Sequence, residues 1–133
     1  GNQLHMLGEQ DHRLRRLVGT GVDWVVNDSP LPIGLAYITP EYEGWLEDAV
    51  WGAFNRYQNY NVLIERGDRR YQPYGRSQTE AEARKLDTVI GHLFDKAAEQ
   101  DPDFCFEVES DRLTPYKILD WVMADEEAYD GAA

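Results

Sequence analysis

Asp101 to Asp111, DPDFCFEVESD, follows a helix-forming stretch and changes its period: Phe104, Phe106 and Val108 recur at every second place, with Asp103, Cys105, Glu107 and Glu109 between them. A spacing of two sends alternate side chains to opposite faces of a strand, so a half-buried strand with an acidic outer face is expected near 103–109. A strand set among strong helical signals makes the chain α+β rather than all-helical.

Upstream, TEAEARKLDTVIGHLFDKAAEQ opens with a capping box from Thr79 to Glu82. It carries Ala83, Leu86, Val89, Ile90, Leu93, Phe94 and Ala97 on one helical face, and Asp101-Pro102 ends it. TPEYEGWLEDAVWGAFNRY, from Thr39, places Pro40 at a first helical position and lines up Tyr42, Leu46, Ala49, Val50, Ala53, Phe54 and Tyr57. Trp51 falls among Gly44, Glu47, Asp48 and Asn55 on the polar side of that helix, whereas Trp45 borders its core stripe. TPYKILDWVMADEEAY repeats the Thr-Pro start at Thr114.

Between the first two helices, NVLIERGDRRYQPY holds two short runs joined by Gly67-Asp68, the pattern of a β-hairpin near 61–74, with Pro73 confining its second strand to an edge. Arg66, Arg69 and Arg70 would face the acidic strand if the two paired. VDWVV and IGLAYI, separated by the turn-rich NDSPLP, have strand composition, while DHRLRRLVGTGVDWVV equally fits a short helix at its start. The expected architecture is a single small α+β domain over residues 6–133: three main helices on an antiparallel or mixed sheet that includes the hairpin and the 103–109 strand. Gly1 to His5 stand before Met6 and read as a cloning scar.

The formal net charge is −12 over 133 residues, and it is unevenly spread. Residues 1–100 carry 15 acidic against 11 basic side chains, and residues 101–133 carry 10 against 2. A field of that sign opposes nucleic acid and anionic membrane and favours basic partners and cations. No apolar run approaches the roughly 20 residues that span a bilayer. A lone Cys105 forms no internal disulfide, as suits a reducing compartment, and the expected location is the cytoplasm.

The acidic stretch admits three uses: a solvated strand face, a cation site, or a decoy for phosphates. An EF-hand loop beginning at Asp101 fails at its fifth, sixth and twelfth positions, where Cys105, Phe106 and Arg112 stand. Calcium would therefore need Asp101, Asp103 and a distant carboxylate. As a duplex decoy, alternate strand residues lie about 6.6 to 6.8 Å apart, against one phosphate charge per roughly 1.7 Å of axis. Helical acids would have to supply further rows, from Glu43, Glu47 and Asp48 or from Asp125, Glu126 and Glu127. The last three sit at a helix C-terminus, where the macrodipole disfavours anions.

Catalytic patterns are weak. His92 lies on the polar side of its helix beside Lys85, Thr88 and Lys96, the serines match no nucleophile elbow, and Gly19-Thr-Gly21 is too short for a phosphate loop. In charge and size alone the chain resembles acidic inhibitor, immunity or anti-defence proteins, which occupy the basic surface of a nuclease or other nucleic-acid-binding protein. Together the weak catalytic patterns and the clustered acids lead to the expectation of a non-enzymatic chain with no cofactor, meeting a basic protein partner through Glu43, Glu47, Asp48, Trp51, Asp103, Glu107, Glu109, Asp125, Glu126 and Glu127. The alternative is a calcium-binding protein without EF-hands, held by Asp101 and Asp103.

Overall fold

The computed structural model describes residues 2–38, 41, 44–66 and 79–132, with side chains up to residue 126 in the last helix. It is a mixed α+β chain whose contacts gather into two compact units, Gly1–Asn59 and Tyr60–Ala133. No helix among the described residues is long and apolar enough to cross a membrane.

The first unit begins with α1 (Gln3–Arg15), which Asn2 caps by accepting the His5 N–H. This helix starts eight residues before Asp11, where a short helix was one of two readings, and it runs through the segment read as a scar. Its half-buried side is Gln3, Leu7, Gln10 and Leu14, a spacing of four, three and four. Neither VDWVV nor IGLAYI is a strand. Residues 22–27 have no regular structure, and Leu31–Tyr37 is a short 3₁₀ helix, because Pro30 and Pro32 fix the backbone and remove ladder donors.

Helix α2 (Trp45–Phe54) starts from Gly44, whose φ of 82° favours a residue without Cβ. The expected start at Thr39-Pro40 lies outside the described residues. Leu46, Val50, Trp51 and Phe54 are buried, and the Trp51 and Phe54 rings meet edge to face at 5.7 Å. The buried stripe is therefore rotated from the expected one, away from exposed Ala49 and toward the indole. Burying a large aromatic removes far more apolar surface from water than burying an alanine methyl, and that difference sets the rotation. Trp51 is 6% exposed and Trp45 51% exposed, so the expected assignments of the two tryptophans are reversed. Asn59 closes the unit by donating to the carbonyls of Phe54 and Tyr57, and the Tyr57 hydroxyl donates to Asp11 Oδ1 at 2.9 Å.

The second unit is a β–α–β–α succession: β1 (Asn61–Glu65), α3 (Glu80–Gln100), β2 (Cys105–Glu109) and α4 (Thr114–Ala132). The two strands pair in parallel, Asn61 beside Cys105 through Glu65 beside Glu109. The sheet among the described residues is thus a parallel pair, where an antiparallel or mixed sheet was expected: α3 is the crossover that lets these two strands run the same way. The second arm of the expected hairpin, within 67–78, lies outside the described residues.

Helix α3 has the expected cap, Thr79 accepting from the Glu82 N–H at 3.2 Å, and the expected face. Ala83 and Ala97 are buried, and Leu86, Val89, Ile90, Leu93 and Phe94 are half-buried between them. Helix α4 is launched by a closed turn. Asp111 Oδ1 accepts the Leu113 N–H at 2.7 Å, and the buried Thr114 hydroxyl accepts the Asp111 N–H at 2.8 Å while donating to the Glu109 carbonyl at 2.6 Å.

Candidate functional site

The two-residue period of Cys105–Glu109 combines with the parallel register to sort the sheet into two faces. Val62, Ile64, Phe106 and Val108 share one, and Asn61, Leu63, Glu65, Cys105, Glu107 and Glu109 share the other. Aromatic packing fixes the apolar face. Phe106 stacks on Trp121 of α4 at 5.1 Å, and Tyr60 meets Trp121 and Phe104 edge to face at 5.6 and 5.1 Å. The Tyr60 hydroxyl then donates to Asp125 Oδ2 at 2.6 Å.

On the opposite face, Glu107 and Glu109 are exposed, as the alternation requires. The register sets Glu109 beside Glu65, also exposed, at the C-terminal ends of both strands. Like charges directly across a ladder are destabilising, so strand pairing alone gives no reason for this arrangement. The guanidinium nearest in sequence does not relieve it. Arg66 makes a two-pronged pair with Asp87 of α3, Nε to Oδ2 at 2.7 Å and Nη2 to Oδ1 at 3.2 Å. Among the described residues no cation forms a salt bridge with Glu65, Glu107 or Glu109. Arg69 and Arg70, the other proposed cross-strand partners, lie outside the described residues.

Glu65 was not among the residues singled out from sequence. Its place in the cluster depends on which residue of β2 it meets, and the register is set by a crossover that no local spacing encodes. Asp103 is exposed in the short 3₁₀ turn Pro102–Phe104 that leads into β2. Asp125 departs from the expectation of a free acidic end: it is half-buried and holds Tyr60, and Glu126 is half-buried beside it. Nothing is described of the Glu127 side chain or of Glu43. Glu47 and Asp48 occupy the first turn of α2, where the helix dipole favours them, and so have a local reason to be acidic. Trp51, buried in the first unit, offers no surface to a partner.

Asp101 ends α3, its N–H donating to the Ala97 carbonyl at 2.9 Å, and it is exposed like Asp103. Among the described residues no three of His, Cys, Asp and Glu gather as metal ligands, so none of the described carboxylates completes a set with these two. Cys105 is half-buried, with Asn61 Nδ2 3.8 Å from its Sγ. Burial pushes its thiol pKa up, against the opposing effect of the Asn61 contact, and the nearby Asp101 charge adds to the rise. A thiol held protonated is a poor nucleophile.

The chain matches no family model, no curated protein and no solved structure.

Proposed function

We propose that the chain is a non-catalytic acidic interaction protein that binds and neutralises a basic, nucleic-acid-binding protein in the cytoplasm, in the manner of inhibitor, immunity or anti-defence proteins. The observation that carries this reading is the Glu65, Glu107 and Glu109 cluster, which the register assembles against the preference of the ladder and which lacks a salt bridge among the described residues. It belongs to a unit in which residues 101–133 alone hold 10 acids and 2 bases. Repulsion in the free protein becomes attraction when a cation-bearing surface docks, and such a field raises association rates. The cluster is too small to imitate a duplex: neighbouring strands lie about 4.8 Å apart and alternate residues about 6.7 Å, against a phosphate charge every 1.7 Å or so of axis. The partner is accordingly met as a protein surface.

The test is capture of a basic protein from the native host's lysate at low salt, its purification, and kinetics with the wild type and with Glu65→Gln/Glu107→Gln/Glu109→Gln. The wild type should associate fast near 50 mM salt and slow steeply by about 200 mM, where the Debye length falls to about 7 Å. The triple variant should associate at least tenfold more slowly while melting no lower than the wild type, because it loses like-charge repulsion. An unchanged on-rate and salt slope would make the cluster plain solvated surface and overturn the reading.

A further inference from the structure

Helix α4 has two faces, and only one is used within the described unit. Ile118, Trp121, Val122 and Asp125 form the inner face, fixed by the Phe106 stack and the Tyr60 hydrogen bond. On the far side, Leu113 just before the helix, then Tyr116, Leu119 and Met123, recur at spacings of three, three and four, which is one continuous stripe. They are 57%, 67%, 55% and 40% exposed. The helix does not roll to bury them, because the Asp111–Thr114 turn fixes its start and the inner contacts of Trp121 and Asp125 fix its middle. Asp120, exposed, falls inside the stripe at helical spacing from Tyr116 and Met123.

We infer that this stripe is the seat of an amphipathic basic helix of the partner, whose apolar side packs on Leu113, Tyr116, Leu119 and Met123 while a lysine or arginine beside that side meets Asp120. The inference rests on the interaction reading above and narrows its partner to one structural class. Charge decides between occupants. A second copy would bring another segment of 10 acids and 2 bases against the first, whereas a basic helix brings the opposite sign. An acidic chain attracts any polycation, so the apolar stripe, and not charge alone, must carry the discrimination.

Three synthetic helical peptides of equal length serve as probes: one with a leucine stripe flanked by Lys and Arg, one with that stripe flanked by Glu, and one with Lys and Arg flanks but serine in place of leucine. Fluorescence anisotropy with the full chain at 150 mM salt should show saturable binding of the first, at least tenfold weaker binding of the third, and none of the second. Tyr116→Ser/Leu119→Ser should weaken the first peptide at least tenfold with helical content and melting temperature unchanged, and a milder Leu119→Gln variant should fall between. Equal affinity for the two basic peptides, or indifference to the α4 variants, would overturn the inference. The charge reading would then still stand on its own if the Glu65, Glu107 and Glu109 variant slows capture of the host protein. Concentration-dependent dimerisation abolished by the same α4 variants would assign the stripe to a second copy, and that too would overturn it.

Discussion

Thr114 shows how much one hydroxyl settles. It accepts the Asp111 N–H and donates to the Glu109 carbonyl, joining the end of the acidic strand to the start of α4 in a site that is 6% exposed. Replacing it with valine keeps the shape and leaves two backbone groups without that partner, which should cost about 1 to 3 kcal/mol. Urea unfolding with an unchanged m-value measures this, and a loss under about 0.5 kcal/mol would mean that water takes the place of the hydroxyl. The carboxylate beside it acts in the same turn. The Leu113 N–H holds the Asp111 pKa below its usual value, desolvation opposes it to a lesser extent, and the Lys117 ammonium adds to the lowering. A depressed carboxylate contributes stability above its unfolded pKa of about 3.9, and that contribution is lost as the pH falls through the lower folded value. The tryptophans carry the opposite lesson for reading a sequence. Helical spacing put Trp51 among polar neighbours, yet the stripe rotated to bury it, since side-chain size outweighs the polarity of adjacent positions.

At the scale of elements, α3 and β2 were legible because each announces itself locally: a capping box and a 3.6-residue stripe for one, a strict alternation for the other. The direction of strand pairing was not. β1 pairs in parallel with a strand beyond α3, a partner that no local signal names and that tertiary packing decides, while the second arm of the hairpin signalled by Gly67-Asp68 lies outside the described residues. The unaligned stretch at 22–27 misled for a related reason, because β-branched composition produces a strand only where a neighbouring edge receives it. Depth of burial was likewise invisible. The face of α3 is the expected one, but Phe94 is only half-buried on it. Phe94→Ala should therefore cost about 1 to 2 kcal/mol, below the roughly 3 to 5 kcal/mol of a fully buried phenylalanine. A measured loss above about 3 kcal/mol would show the helix to be covered more deeply in solution.

For the whole molecule, charge is the largest departure from an ordinary domain. A net −12 on 133 residues repels itself, so added salt should raise the melting temperature until screening is complete. Calcium and sodium chlorides at matched ionic strength should do so equally, since Asp101 and Asp103 have no third ligand among the described residues. A saturable excess with calcium, following RT ln(1 + [Ca²⁺]/Kd), would establish a specific ion site. The same scale exposes a consequence of the parallel pairing. Asn61 and Cys105, the first bonded row of the sheet, are 44 residues apart in the chain. At a synthesis rate of about 5 to 20 residues per second, β1 emerges from the ribosome roughly 2 to 9 seconds before its partner exists. During that interval β1 waits for β2, and closing the long loop afterwards costs about 2 kcal/mol more than closing a five-residue one. The parallel pair thus closes only when the acidic quarter of the chain arrives to complete it.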